Sequence, residues 1–292
     1  MGSPEALGGG PVTEPSENWS GGYVDAEIGC DIRGAVRIFD LAVALEPGMP
    51  RHPHHPPFAY GLAKRHKAGS YGNGVSTAME VITTGAHVGT HIDALGHVAK
   101  DGKAYGGRDV MSAQSCTEGL GVGSIEETPP IIGPGHLVDV PKLLGRDPTP
   151  ADGLGPAEFE RWFADKAEPG PGSIVLVRTG WMRLWDVDED DYIGLATGLP
   201  GVTIEGARWL SDRGIIATGS DTMNYEHKPS SKIINLPVHV HNLVEKRISI
   251  IESLNLELLA EHGVTDFTFI AIPLRIRGGT GSPIRPIAIV HR

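Results

Sequence analysis

The chain has 292 residues, with 25 Lys or Arg, 36 Asp or Glu and 13 His, so its formal net charge at pH 7 is −11. The acidic residues are spread and the basic ones form no cluster, which argues against nucleic acid or a membrane surface as a partner. The absence of an apolar run of about 18 residues and of a signal-peptide pattern leads us to expect a cytoplasmic protein without a membrane span.

Residues 1–35 are rich in Gly, Pro, Ser and Glu, and this composition predicts a flexible N-terminal arm. Residues 36–292 are long enough to bury a large core and are expected to form a single domain. Cys30 and Cys116 lie far apart and match no zinc or redox spacing. They are therefore predicted to be unpaired thiols.

Apolar periodicity predicts strands and helices along the rest of the chain. One helix is expected to begin at Pro156, and another runs from a cap at Thr203 to a stop at Gly214. Residues 130–140 are expected to form two strands joined by a glycine turn. The predicted strands with the clearest patterns are 36–41, 79–83, 173–178, 215–221 and 267–274.

A loop rich in proline and histidine follows the first predicted strand. His52, His54 and His55 fall within four residues there, a spacing that permits a metal site. The prolines between and after them favour an extended, polyproline-like conformation instead. A wall of a substrate pocket, formed by His52 and Phe58, is the favoured interpretation.

Segment 84–97 carries three histidines and one aspartate within eleven residues. A tight turn at Gly89 followed by a short extended piece would gather His87, His91 and Asp93 around one point. Two imidazoles and a carboxylate suit Zn²⁺ or another divalent first-row metal and leave positions for water and substrate. A chance cluster or a set of satisfied core residues is disfavoured, because the run follows an apolar strand and holds both types of ligand.

The segment from His87 to His97 reads His-Val-Gly-Thr-His-Ile-Asp-Ala-Leu-Gly-His. It resembles the signature of the cyclase family of metal-dependent hydrolases, His-x-Gly-Thr-His-x-Asp-x-Pro-x-His, which includes kynurenine formamidases and isatin-hydrolase-like lactamases. The one departure is Leu95 in place of proline, which removes a fixed backbone angle but no ligand. Further matches extend the resemblance from about Ile38 to Val290. It implies an α/β fold of the swivelling β/β/α type, with a mixed, barrel-like sheet and helices outside it.

The resemblance also implies site residues beyond the metal triad. His97 would be the general base and then the general acid. His239 and Glu252 would act in catalysis, either by holding a second metal bridged by Asp93 or by orienting the ligands of a single one. His241 is the competitor of His239, and Trp181 is either a wall of the substrate pocket or part of the core. The alternative for Glu252 is an ion pair with Arg247 or Arg275.

The implied activity is metal-dependent hydrolysis of a carbon–nitrogen bond. The length of the chain and its 178–221 region place it nearer the lactam branch. The expected reaction is therefore the opening of an aromatic cyclic amide, or a related lactone, by a metal-bound water with Mn²⁺ or Zn²⁺ as cofactor. The alternatives are an arylformamidase acting on N-formylkynurenine-like substrates, a noncatalytic metal- or small-molecule-binding protein, and a polyketide cyclase. The family also implies a homodimer or a homotetramer.

Overall fold

The computed structural model describes residues 23–27, 35–67, 71–229 and 236–291. In chain order the strands are β1 (Tyr23–Glu27), β2 (Ala35–Asp40), β3 (Ala59–Lys64), β4 (Met79–Thr83), β5 (His91–Asp93), β6 (Lys103–Ala104), β7 (Arg108–Asp109), β8 (Gln114–Ser115), β9 (Gly119–Leu120), β10 (Ile131–Asp139), β11 (Gly153–Leu154), β12 (Ile174–Arg178), β13 (Gly201–Val202), β14 (Ala217–Ser220), β15 (Ser249–Glu252), β16 (Asp266–Ala271), β17 (Gly281–Pro283) and β18 (Ile287–His291). The helices are α1 (Val140–Leu144), α2 (Pro156–Phe163), α3 (Glu189–Ile193), α4 (Ile204–Ser211), α5 (Pro237–His239) and α6 (Glu257–Glu261), and α5 continues into a π-helical stretch, Val240–Lys246.

A strongly curled sheet of ten strands forms the centre of the fold, in the order β1-β2-β18-β16-β10-β12-β14-β15-β5-β17. The middle strands β10, β12, β14 and β15 are parallel, and the strands on either side of them are antiparallel. The short strand β5 lies between β15 and β17, where His91 pairs with Glu252 and Asp93 pairs with Gly281. The predicted α/β fold with a mixed sheet and outer helices is confirmed.

Strand β12 shows why the middle of this sheet reads as a continuous apolar run. Ile174 and Leu176 are fully buried in the cluster on one face of the sheet. The alternate residues, Val175 and Val177, are fully buried in the cluster on the other face. A strand covered on both faces needs apolar side chains at every position. Each such side chain contributes about 1.5–3 kcal/mol when it is buried.

Helices α2 and α4 cover one of these faces through stacked aromatic rings. Trp209 of α4 lies parallel to Phe159 and Phe163 of α2, with ring centroids 5.3 and 5.9 Å apart. The hydroxyl of Thr203 accepts a hydrogen bond from the amide of Gly206, so Thr203 caps α4 as its sequence position predicts. The helices therefore begin where the capping signals place them.

Two expectations about the chain path need correction or restriction. Residues 131–139 form one strand, not two strands with a glycine turn. The glycine at 135 does not mark a turn, because a Cβ atom there would collide with the ring of Phe267 on the neighbouring strand. Glycine is thus needed there for packing. In the predicted N-terminal arm, Tyr23–Glu27 pairs with β2, whereas residues 1–22 and 28–34, including Cys30, lie outside the described residues. Flexibility of those residues stays a prediction.

Two further sequence expectations can be compared with the described part of the chain. Cys116 is exposed and carries a free thiol, as predicted. Across the described ranges, every helix is too short or too polar to cross a bilayer.

Gly206 offers a test of how tightly α4 packs. Alanine normally stabilises a helix by about 1 kcal/mol relative to glycine. A Cβ atom at residue 206 would instead collide with the carbonyl oxygen of Leu154. We expect Gly206→Ala to lower the free energy of unfolding by about 1–3 kcal/mol in urea titrations.

The matched control is Gly170→Ala, because a Cβ atom there would meet nothing within 4 Å. We expect its free energy of unfolding to stay within about 0.5 kcal/mol of wild type. Equal stability of the two variants would contradict the tight packing of α4 on β11.

Candidate metal centre

The histidine-rich motif is built as a turn followed by a strand. Gly89 bends the chain with a φ of 66°, and β5 then carries His91, Ile92 and Asp93. Ile92 is buried in the hydrophobic cluster of the sheet, so its two neighbours point to the opposite side. The interpretation of this segment as a turn and a short extended piece is therefore correct.

His87, Asp93 and His97 form one group of possible metal ligands, whose donor atoms lie within 4.8 Å of one another. His87 Nδ1 lies 2.8 Å from Asp93 Oδ1, and its Nε2 lies 3.0 Å from the hydroxyl oxygen of Thr280. The ring of His97 stacks on that of His87, with the centroids 3.9 Å apart. His97, predicted to be the general base, is thus close enough to be a ligand as well.

Asp93, His239 and Glu252 form a second such group. Glu252 Oε1 lies 3.2 Å from His239 Nε2, and its Oε2 lies 3.4 Å from His91 Nε2. His239 Nε2 is 3.8 Å from Asp93 Oδ2. Asp93 belongs to both groups and lies between them.

Two buried atoms of the cluster have no hydrogen-bond partner among the described residues, namely His91 Nε2 and Asp93 Oδ2. His91 Nδ1 donates to the carbonyl oxygen of Gly89 at 2.8 Å, so Nε2 is directed into the cluster, 3.4 Å from Glu252 Oε2 and 3.8 Å from Asp93 Oδ1. A buried acceptor without a partner is costly. Imidazole nitrogens and carboxylate oxygens are the donors that Zn²⁺ and Mn²⁺ accept, so the residues present fit a divalent metal ion.

The charges in the cluster are arranged for ionised carboxylates. Burial opposes ionisation of Asp93, but His97 and His87 outweigh it and hold the pKa of Asp93 far below its usual range. Burial likewise opposes ionisation of Glu252, but contacts with His239 and His91 lower its pKa to about 2. Burial lowers the pKa of His97 to about 4, so its ring is neutral at pH 7.

Glu226 orients His239 and was missed by the sequence analysis. Its carboxylate accepts hydrogen bonds from His239 Nδ1 and from the backbone amides of Val238 and His239. His239 therefore carries its proton on Nδ1 and presents Nε2 to Glu252, as in other histidine ligands held by a carboxylate. A separation of thirteen residues along the chain indicates no such contact.

The structure distinguishes between the alternatives that the sequence left open. His239 faces the cluster, whereas His241 contacts Ser211 and Glu245 on the other side of the π-helical stretch. Glu252 contacts His91, His239 and the backbone amide of Tyr225. Among the described residues, neither Arg247 nor Arg275 forms an ion pair with it.

A cavity of about 270 Å³ opens onto the cluster. Its polar lining residues include His52, His55, His87 and Glu252. Its apolar lining residues include Ile193, Leu195, Leu199 and Met223. The arrangement suits a small, flat molecule with a polar edge.

Of the three residues predicted to contact substrate, only His52 lines this cavity. Phe58 and Trp181 are buried in a hydrophobic cluster behind it, with Met49 and Tyr192. The indole of Trp181 donates to the carbonyl oxygen of Asp191, which turns the ring into that cluster. Phe58 and Trp181 therefore lie behind this cavity and not on its wall, and their contact with a substrate stays a prediction.

The ten-stranded mixed sheet and the histidine–carboxylate cluster define an α/β protein whose pocket is lined by residues that could hold a metal ion. The model of the Cyclase family, described as "Putative cyclase", matches residues 39–227. The chain belongs to this family.

Similar proteins have names that refer to hydrolysis or to cyclases. An isatin hydrolase of Roseibium aggregatum is 30% identical, over 89% of this chain and 94% of its own length. A kynurenine formamidase of Bacillus cereus is 25% identical, over 85% of this chain and 95% of its own length. A solved structure described as a novel cyclase aligns with a TM-score of 0.77 and 25% identity, over 86% of this chain and 87% of that one.

His91 and His241 form a matched pair for testing the cluster, because both are buried histidines of the same region of the fold. We expect the wild type to bind about one or two divalent ions per chain. His91→Gln should lose metal, measured by elemental analysis of the purified protein, because it removes a buried nitrogen without a partner. His241→Gln should retain it. Retention of metal by a folded His91→Gln variant would contradict the assignment.

Proposed function

We propose that this protein is a metal-dependent hydrolase that opens an aromatic cyclic amide of the isatin type, or a related lactone. The observation that carries the proposal is the pair of buried, unpartnered atoms, His91 Nε2 and Asp93 Oδ2, next to the neutral ring of His97. The similarity to an isatin hydrolase over 89% of the chain supports the substrate class.

His87, His91 and Asp93 would hold the metal ion. His239 and Glu252 would hold a second ion or orient the ligands of the first, because Asp93 lies between the two groups. A bound Mn²⁺ or Zn²⁺ would supply polarisation of the scissile carbonyl and a lowered pKa of the attacking water.

His97 is positioned to move the proton. Its half-buried ring stacks on that of His87, and its lowered pKa keeps it neutral at pH 7, with a free lone pair that can take a proton from the attacking water. Water then adds to the carbonyl carbon, the carbon–nitrogen bond breaks, and the imidazolium of His97 returns the proton to the leaving nitrogen. The products are a carboxylic acid and an amine, which stay in one molecule when the amide is cyclic.

The cavity favours a small aromatic substrate. Its volume of about 270 Å³ is at the low end of ligand sites in proteins. The apolar wall of Ile193, Leu199 and Met223 can cover the face of a flat ring while the polar edge meets the cluster. A fused bicyclic lactam satisfies both demands.

An arylformamidase is the second candidate. The group formed by Asp93, His239 and Glu252 favours it, because a bridging carboxylate with two further ligands allows a second metal ion. The similarity to a kynurenine formamidase, at 25% identity, points the same way.

A substrate panel distinguishes these activities. The protein, loaded with Mn²⁺ or Zn²⁺, is assayed with isatin, an aromatic lactone and N-formylkynurenine. We expect ring opening of isatin to have the highest kcat/KM and a chelator to abolish it. Faster hydrolysis of the formamide would favour the second candidate, and turnover of none of them would contradict the proposal of a hydrolase.

His97 is expected to be needed for chemistry but not for metal retention. General acid–base catalysis typically contributes about 10²–10⁴-fold, so His97→Ala should lower kcat by a factor in that range. Its metal content should stay near that of the wild type.

The control is His262→Ala, because His262 is exposed and packs edge-on against Phe39, far along the chain from the motif. Its kcat should be unchanged. Loss of metal from His97→Ala would show that His97 is a ligand, and the proton would then have to be moved by another group.

A further inference from the structure

Three histidines of the loop at 51–58, His52, His54 and His55, line the cavity but belong to neither group of possible metal ligands. Two of them, His52 and His55, have one ring nitrogen engaged by the backbone. His55 Nδ1 lies 2.8 Å from the carbonyl oxygen of His87, and His52 Nδ1 lies 3.2 Å from the backbone nitrogen of His54. These contacts determine where each ring carries its hydrogen.

The carbonyl oxygen of His87 can only accept, so Nδ1 of His55 carries a hydrogen and donates it. Nε2 is then the lone-pair nitrogen of the neutral ring. His55 thus presents a hydrogen-bond acceptor to the cavity.

His52 has the opposite arrangement. The backbone N–H of His54 can only donate, so Nδ1 of His52 accepts and the ring hydrogen is on Nε2. His52 thus presents a hydrogen-bond donor. The two ring centroids are 5.4 Å apart, and both residues line the cavity, so a donor and an acceptor are available on neighbouring rings.

We propose that His52 and His55 form a recognition pair for an amide, in which His55 Nε2 accepts from the substrate N–H and His52 Nε2–H donates to a carbonyl oxygen. The inference rests on the proposed function and deepens it, because it selects cyclic amides with a free N–H over lactones and N-substituted amides. The ring of His55 lies 5.5 Å from that of His87, which places the acceptor beside the metal cluster, where the scissile bond must lie.

The backbone contacts also argue against a metal site on this loop. Among the described residues, the groups able to hold a metal ion do not include His52, His54 or His55. One nitrogen of each of the His52 and His55 rings is already used, and the two remaining nitrogens differ in polarity. A donor next to an acceptor suits an amide better than a cation.

The test compares isatin with N-methylisatin, in which a methyl group replaces the hydrogen on nitrogen. A buried acceptor left without its partner is costly, so the wild type should prefer isatin by about 10- to 100-fold in kcat/KM. His55→Asn keeps a group that can donate to the carbonyl of His87 but removes the acceptor at the position of Nε2. This variant should bring the preference close to 1.

Three further variants separate recognition from a structural effect. His55→Gln places an amide oxygen near the position of Nε2 and should restore part of the preference. His52→Asn should lower kcat/KM for both substrates by a similar factor and leave their ratio unchanged. His66→Asn changes an exposed histidine that contacts Ser76 and should behave as wild type.

The outcomes separate this inference from the proposed function. Turnover of both substrates without a preference in the wild type, or with the same preference in His55→Asn, would overturn the inference and leave the hydrolase intact. If neither substrate turns over, calorimetric titration with oxindole and N-methyloxindole decides. A preference for oxindole that His55→Asn abolishes would support amide recognition in a protein that is not this hydrolase, and equal or undetectable binding would overturn both.

Discussion

Three buried carboxylates that contact the ring of His239, those of Asp93, Glu226 and Glu252, set the constraint that the rest of the site satisfies. Each is less than 10% exposed, and an uncompensated charge in such a place is very costly. Imidazole rings and backbone amides compensate these charges. Glu226 is paired with His239 and two amides, and Glu252 is held by His239, His91 and a third amide. Asp93 keeps one oxygen without a protein partner, and that oxygen is where the arrangement calls for a cation.

Strand pairing determines the positions of His91, Asp93 and Glu252 in this cluster. β5 is only three residues long, yet it is hydrogen-bonded on both sides, to β15 and to β17. The register of β15 places Glu252 directly opposite His91, and the glycine at 281 leaves room for the ring of His87. A shift of one residue in either pair would turn His91 and Asp93 into the hydrophobic face that Ile92 now occupies. The position of these two side chains therefore depends on the register of β5 with its two neighbours.

Local pattern was enough to predict most of the strands and helices, and also the turn and short strand that carry His87, His91 and Asp93. The role of these three residues as metal ligands stays a prediction, since neither group of possible ligands in the described residues includes His91. The pattern failed where a distant residue decides. The proximity of His87, His91 and Asp93 follows from their spacing, because a turn and a strand of three residues leave the backbone few alternative paths. Glu226 could not be predicted, since its partner His239 is reached only through the tertiary fold. The glycines of residues 130–140 predict a turn, because the sequence pattern does not show that Phe267 packs across the sheet on Gly135. Trp181 shows the same limit, since an aromatic ring next to a binding loop can equally belong to the core.

The hydrogen bonds from Val238 and His239 to Glu226 have a consequence for the dynamics of the site. The same carboxylate holds the start of α5 and the ring of His239, so the helix cannot fray at that end without releasing the ring. The position of this histidine is thus linked to a local folding equilibrium and not to its rotamer alone. Protection of these two backbone amides against hydrogen exchange reports how much of the time the pocket is preorganised.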